Sequence, residues 1–188
     1  VYKRQLEDKI IQKMGRQNVS IAFTATSIGT KKTENILNIA RHLAEDGISV
    51  LMIDADLRYS NLDDFVDEDA ERGFIDVILG GYDVDQVKIK DRAYKSLSFL
   101  KTGSVSDYAD KFLEPKVVRN FFSDISNEYD YVLVDLTENT DVAEANMFAA
   151  STDACLVFTK DELKSSEETQ NSLDQLEKAN ANILGLAI

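Results

Sequence analysis

The sequence predicts an α/β fold: a doubly wound, mostly parallel sheet with helices on both faces. Three observations carry that expectation. Short continuous apolar runs recur at residues 19–25, 49–54, 131–136 and 154–159, without the alternation of a sheet wetted on one face. Segments with helical spacing of apolar residues separate them. The first two runs are joined by a connection long enough for the helical crossover that parallel strands require.

Residues 1–14 place Leu6, Ile10, Ile11 and Met14 at helical spacing between charged positions, and Gly15 and Asn18 break the pattern. The run VSIAFTA follows as a first strand, then a loop over residues 26–30 with one glycine. Residues 33–46 return to the helical period, with Ile36, Ile39, Ala40, Leu43 and Ala44 on one stripe, and Gly47 ends them. The second strand is SVLMID, residues 49–54. The acidic stretch 61–72 reads as a surface loop or short helix, and 74–79 as a short helix stopped by Gly80 and Gly81. A strand is expected at 97–101. Pro115 opens a helix whose buried stripe is Val117, Val118, Phe121, Phe122 and Ile125. A third clear strand covers 131–136, followed by a helix at 142–150 and a strand at 154–159. A polar helix at 162–179, with Leu163, Leu173 and Leu176 inward, leads to a last strand at 183–188. No repeat, low-complexity tract or linker interrupts the alternation. The chain therefore reads as one domain over 1–188, a helix over 1–17 and an α/β core over 18–188.

With 188 residues, 44% hydrophobic and 29% charged, the chain has enough apolar material for a full core and is not compositionally disordered. Its net charge of −13 argues against nucleic acid or a bare anionic membrane as partner, because Lys31-Lys32 is the densest basic group away from the ends. A partner with basic segments is easier to accommodate. A single cysteine, Cys155, excludes an intrachain disulfide and a cysteine metal cluster. Cys155 and the lone His42 read as structural. No apolar stretch reaches the roughly 18–20 residues of a membrane span, and no signal peptide opens the sequence. The expectation is a cytoplasmic domain, and Val1 in place of an initiating Met points to a piece of a longer protein.

In open α/β sheets the ligand binds beyond the carboxyl ends of the strands. After the first strand come Thr26, Ser27, Ile28, Gly29, Thr30, Lys31, Lys32 and Thr33, and then a helix. A loop that opens a helix offers unpaired N–H groups and a positive dipole end to phosphate. A lysine followed by threonine there adds a cation for the β/γ-phosphates and a hydroxyl for Mg²⁺. The bland alternative is an ordinary loop with a solvated lysine pair, since the pattern G-x-x-x-x-G-K-[ST] is not met. After the second strand come Asp54, Asp56 and Arg58, with both acids on one side of the chain. They suit a shared Mg²⁺ and an activated hydroxyl, or simply a polar strand end. The third strand ends in Asp135, where an acid holds Mg²⁺ through water or caps a helix. Taken together on one scaffold, these signals favour a nucleotide site.

The stretch IGTKKTENILNIARHLAEDGISVLMIDADLR resembles the start of the bacterial tyrosine kinases of capsular and exopolysaccharide biosynthesis. Asn38-Ile39-Ala40 sets the register, placing Lys32 on that family's P-loop lysine, Thr33 on its Mg²⁺-binding hydroxyl and Gly29 on its first glycine. Asp54, Asp56 and Arg58 match the family's D-x-D-x-R. GFIDVILGG, residues 97–103 and the run from Tyr129 to Asp135 resemble later family segments, so the likeness spans about 19–188. The resemblance implies a P-loop ATPase fold of the deviant type shared with septum-site and partitioning ATPases. It implies ATP and Mg²⁺ as cofactors and γ-phosphoryl transfer to tyrosine. Gly29, Thr30, Lys31, Lys32 and Thr33 would form the phosphate loop, with Lys32 neutralising the phosphates. Thr33, Asp56 and Asp135 would hold Mg²⁺. Asp54 would orient or deprotonate the tyrosine hydroxyl, and Arg58 completes the catalytic set with Lys32, Asp54 and Asp56. The partners implied are a transmembrane polysaccharide co-polymerase or adaptor, separate or fused, at the inner face of the membrane in chain-length control, and a ring-like homo-oligomer.

The chain departs from the family pattern in several places. Lys31 replaces the glycine before the P-loop lysine. Leu136-Thr137-Glu138 replaces Thr-Pro-Pro, adding a negative charge where phosphate is expected. Ser106, Asp107, Tyr108, Ala109 and Asp110 replace a proline-rich stretch, and no tyrosine cluster ends the chain. Lys31 and Glu138 favour a second reading, a catalytically degenerate pseudo-kinase acting as a nucleotide-sensing or scaffolding module of the same complex. A partitioning-type ATPase is a third, opposed by Leu57-Arg58.

Overall fold

The computed structural model describes residues 2–15, 17–104, 113–138 and 142–188. The stretch from Ser106 to Asp110 that departs from the family pattern therefore lies outside the described residues. Helix α1, Tyr2–Met14, precedes strand β1, Val19–Ala25, helix α2, Lys32–Glu45, and strand β2, Val50–Asp54. A 3₁₀ turn at Asn61–Asp64, short helices α3 (Phe74–Ile78) and α4 (Val84–Val87), and strands β3 (Ile89–Lys90) and β4 (Leu97–Leu100) form the middle. Helix α5, Pro115–Ile125, strand β5, Tyr131–Asp135, helix α6, Ala143–Ser151, and strand β6, Ala154–Phe158, follow. A 3₁₀ turn at Asp161–Leu163, helix α7, Glu167–Lys178, and strand β7, Ile183–Ala187, close the fold.

The sheet order is β3-β4-β2-β5-β1-β6-β7, with every pairing parallel except the antiparallel β3–β4 edge. The central strands β1, β2, β5 and β6 are buried at every residue, which is why they read as unbroken apolar runs. Their side chains still alternate between two cores. Ile21, Phe23, Tyr131 and Leu133 join the core under α1 and α2. Ala22, Val132 and Val134 join the core under α3, α5, α6 and α7. In that second core Phe74, Phe121, Phe122 and Phe148 meet with ring centroids 5.2–6.4 Å apart.

Several expectations are corrected. The C-terminal helix begins at Glu167, not residue 162, because Ser166 accepts the Thr169 N–H at 3.1 Å and caps it there. Leu163 falls in the preceding 3₁₀ turn and is half-buried. Val117 is 40% exposed, since the buried stripe of α5 is Val118, Phe122 and Ile125. The acidic stretch after β2 does open with a short helix, the 3₁₀ turn at Asn61–Asp64, but it buries Leu62 completely and is pinned to the core there. Strand β4 ends at Leu100, one residue early, and there Gly73 and Gly103 pack backbone to backbone. A Cβ on either would overlap the other's segment. The Phe74 and Ile75 amides donate to the Lys101 and Thr102 carbonyls at 2.8 and 3.0 Å, so the two glycine motifs form one joint beside the second strand.

Candidate functional site

The sheet order makes β2, β5 and β1 neighbours, and all three deliver their carboxyl ends to one place. Asp54 and Asp135 are directly paired in the β2–β5 register, and Phe23 of β1 pairs with Asp135. The loop after β1 therefore opens beside both acids. Lys32 is the first residue of α2, and its ammonium is buried against the Asp135 carboxylate as a salt bridge, with side chains 1% and 0% exposed. The Thr33 hydroxyl donates to the other Asp135 oxygen at 2.5 Å. Burial pushes the Lys32 pKa down to about 8, against the pull of Glu138, Asp54 and Asp56. The ammonium remains the main form near neutral pH.

The loop between β1 and α2 bends through two left-handed residues. Gly29 has φ 85°, and Lys31, at the N-cap of α2, has φ 55° and ψ 33°. Lys31 thus adopts the left-handed conformation that glycine takes freely and a side chain opposes. Lys31 itself is exposed, and its carbonyl accepts the Asn35 N–H at 3.0 Å. The hydroxyls of Ser27 and Thr30 are buried without a hydrogen-bond partner. Buried polar groups are normally paired, so two orphaned hydroxyls in this loop fit a polar ligand such as phosphate.

Asp54 is completely buried. Its Oδ2 accepts the Leu62 N–H at 2.9 Å and its Oδ1 the Asp56 N–H at 3.2 Å. Burial raises its pKa to about 6, opposed by those two backbone bonds. A carboxyl so placed exchanges a proton close to neutral pH, as a group orienting or deprotonating a hydroxyl requires. Asp56 is turned back on its own loop. Its Oδ1 accepts the N–H groups of Arg58 at 3.0 Å and Tyr59 at 3.2 Å, and its Oδ2 the Asn61 amide at 3.2 Å. The Arg58 guanidinium points to α6, where it pairs with Glu144 at 3.1 Å. Of the residues expected to work together, the structure joins Lys32 and Thr33 on Asp135. It sets Asp54 beside Asp135, ties Asp56 to its own loop and pairs Arg58 with Glu144. Among the described residues no three His, Cys, Asp or Glu side chains converge as a ready-made metal cage. A Mg²⁺ site made from one or two carboxylates, a hydroxyl, waters and nucleotide phosphates needs none.

Sequence reasoning missed the parts that hold the acids in place. The Leu62 amide carries no sequence signature. The buried Lys101 ammonium bonds Asp63 at 2.9 Å and fixes the 3₁₀ turn that presents that amide. Asn61 lies on an ordinary polar stretch, and Glu144 in the first turn of an alanine-rich helix.

This geometry can be compared with known proteins. A family profile described as AAA domain matches residues 18–183. The chain belongs to that AAA domain family. Its relatives include the putative tyrosine-protein kinase EpsB of Ralstonia solanacearum, 28% identical over 170 residues. The match takes in 90% of this chain but 22% of that protein, so this AAA domain spans about a fifth of the relative's length. The tyrosine-protein kinase CpsD of Streptococcus pneumoniae is 26% identical over 177 residues, covering 94% of this chain and 78% of CpsD. The bacterial tyrosine kinases that the motifs resemble are thus relatives of this chain. Among solved structures, the kinase domain of Escherichia coli tyrosine kinase ETK superposes with TM-score 0.85 at 23% identity, covering 98% of this chain and 72% of that one. The septum site-determining protein MinD of Pyrococcus horikoshii, complexed with Mg-ADP, gives TM-score 0.72 at 23% identity, covering 89% and 68%. Both share the fold of this chain, which here is a seven-stranded, mostly parallel sheet of the P-loop type.

Proposed function

We propose that this chain is the ATP-binding domain of a bacterial tyrosine kinase that acts in capsular or exopolysaccharide assembly. The observation that carries the reading is the meeting of Lys32 and Thr33 with Asp135, beside a buried Asp54, at the carboxyl ends of three adjacent strands. Mg-ATP would supply the transferable γ-phosphoryl group. Lys32 would exchange its contact with Asp135 for the β/γ-phosphates, which is the main electrostatic work of the site. Thr33 and Asp135 would hold Mg²⁺ directly or through water, with Asp56 beside them. Asp54 would orient the tyrosine hydroxyl and accept its proton, and Arg58 would leave Glu144 to face the transferred group. On this reading residues 1–188 work as one unit at the cytoplasmic face of the membrane. The partner is a transmembrane co-polymerase or adaptor, and copies of the chain associate. Among the described residues no helix is long and apolar enough to cross a membrane.

A second reading keeps nucleotide binding without transfer. Lys31 in the glycine position and Glu138 beside Lys32 favour it. Titration calorimetry of Mg-ATP and Mg-ADP into the wild type and Lys32→Ala separates these cases, with thermal melts checking that the variant is folded. Mg²⁺-dependent binding that the variant loses supports the site, and phosphotyrosine formation then decides for the kinase. Binding without transfer leaves the sensing module, and no heat with either nucleotide refutes kinase and sensor alike and leaves a scaffolding module.

A further inference from the structure

Beyond β6 the chain turns directly over the phosphate loop. Thr159 is buried, and Thr26, the first residue after β1, donates from its Oγ1 to the Thr159 hydroxyl at 2.9 Å. Thr169, in the first turn of α7, lies with its Oγ1 3.3 Å from that of Thr26 and donates to the Leu163 carbonyl at 2.8 Å. The Thr26 N–H donates to the Phe158 carbonyl at 2.9 Å and the Thr159 N–H to the Ala187 carbonyl at 2.8 Å. Three buried hydroxyls and these backbone bonds knit the start of the phosphate loop, the end of β6 and the first turn of α7 into one block. Buried networks that are fully paired are rigid, so what this block carries is held in a fixed place.

It carries Lys160. The side chain extends across Gly29, where a methyl group would lie 3.8 Å from Nζ and 4.0 Å from Cε. Among the described residues no carboxylate pairs with this ammonium. The same loop holds the orphaned Ser27 and Thr30 hydroxyls. The charge balance of the site also calls for another cation. Asp54, Asp56 and Glu138 all act on Lys32, and Asp135 touches it. A polyphosphate entering among four acids meets repulsion, which Lys32 and the Mg²⁺ of the reading above would reduce and a further cation would reduce again.

We propose that Lys160 is a further phosphate-binding residue of the nucleotide site, supplied by the β6–α7 connection and reaching the phosphate chain across Gly29. The inference rests on the nucleotide reading above. It gives a role to the tie between this connection and Thr26.

The test compares wild type, Lys160→Ala and Lys160→Arg for binding of Mg-ADP, Mg-ATP and, by competition, adenosine, at two salt concentrations. Lys160→Ala should weaken both nucleotides by about tenfold, leave adenosine unchanged and flatten the salt dependence, as loss of one charge-assisted contact does. Lys160→Arg should remain within about threefold of wild type, since the charge persists. Wild-type binding of ADP that Lys160→Ala leaves intact overturns the proposal while sparing the phosphate-loop reading. An equal loss of ADP and adenosine also overturns it, because the lysine would then act on the base or on the fold. A wild type that binds no nucleotide at all refutes the underlying reading and this proposal with it.

Discussion

Replacing Asp54 by asparagine removes a charge that the fold holds at a cost. The carboxyl is fully buried and its pKa stands at about 6 instead of the ordinary 3.8. That gap corresponds to about 3 kcal/mol of unfavourable free energy in the folded chain once the group is ionised. The sign follows from linkage. A raised pKa contributes stability below about pH 3.8, and that contribution is lost as pH rises through about 6. Asparagine keeps one acceptor for the Leu62 N–H but turns an amide toward the Asp56 N–H, which costs about 1–2 kcal/mol. The net expectation for Asp54→Asn near neutral pH is a gain of about 1–2 kcal/mol, or roughly 3–6 °C in Tm for a domain of this size. Thermal melts of both proteins from about pH 4 to about pH 8 check it. The gap should be widest above about pH 6 and shrink, or reverse, towards about pH 4. A pH-independent gap, or a variant less stable than wild type at neutral pH, would refute the reasoning. Phosphotyrosine formation, if the kinase reading holds, should be lost in the same stabilised variant.

Lys31→Gly should stabilise the chain by about 0.5–1 kcal/mol, because relief of a left-handed side chain (about 1–2 kcal/mol) exceeds the unfolded-state entropy that glycine adds. Lys31→Ala keeps the strain, so urea titrations that place the two variants together would count against it. Arg58→Ala removes a half-exposed pair with Glu144 and should cost less than about 1 kcal/mol in stability. A fall of more than about tenfold in phosphoryl transfer would then reflect chemistry, and unchanged transfer would remove Arg58 from the catalytic set. Burial pushes the Cys155 thiol up to about 12, so a thiol reagent should label it only as denaturant unfolds the chain; rapid labelling of the native protein would contradict its placement in the core.

The two-sided burial of the central strands made the fold class legible in sequence. A strand covered on both faces is mostly apolar, and residues 19–25 and 131–134 show it, the buried Ser20 and Thr24 hydroxyls being paired with Asp153 and the Thr137 carbonyl. Elements too short to complete a period left no trace. The two residues of β3 and the four of α4 are examples, held by pairing with β4 and by docking on the second core. The start of α7 was misplaced because residues 162–165 suit a helix locally. Ser166 and the buried Thr169 hydroxyl, which takes the Leu163 carbonyl, decide otherwise.

The candidate site divides the same way. The sequence by itself determined which chemistry stands at which strand end: a lysine and a threonine after the first, two acids and an arginine after the second, one acid at the third. Only the tertiary structure decided that β5 lies between β2 and β1, bringing Lys32 and Thr33 onto an aspartate more than a hundred residues away. It alone turned Arg58 to Glu144, set the Leu62 amide on Asp54 and laid Lys160 across Gly29. The physical reason is that strand ends are written by local burial, which leaves a pattern in the chain. Strand order, backbone donors and the reach of a long side chain depend on contacts between distant segments, and these leave none.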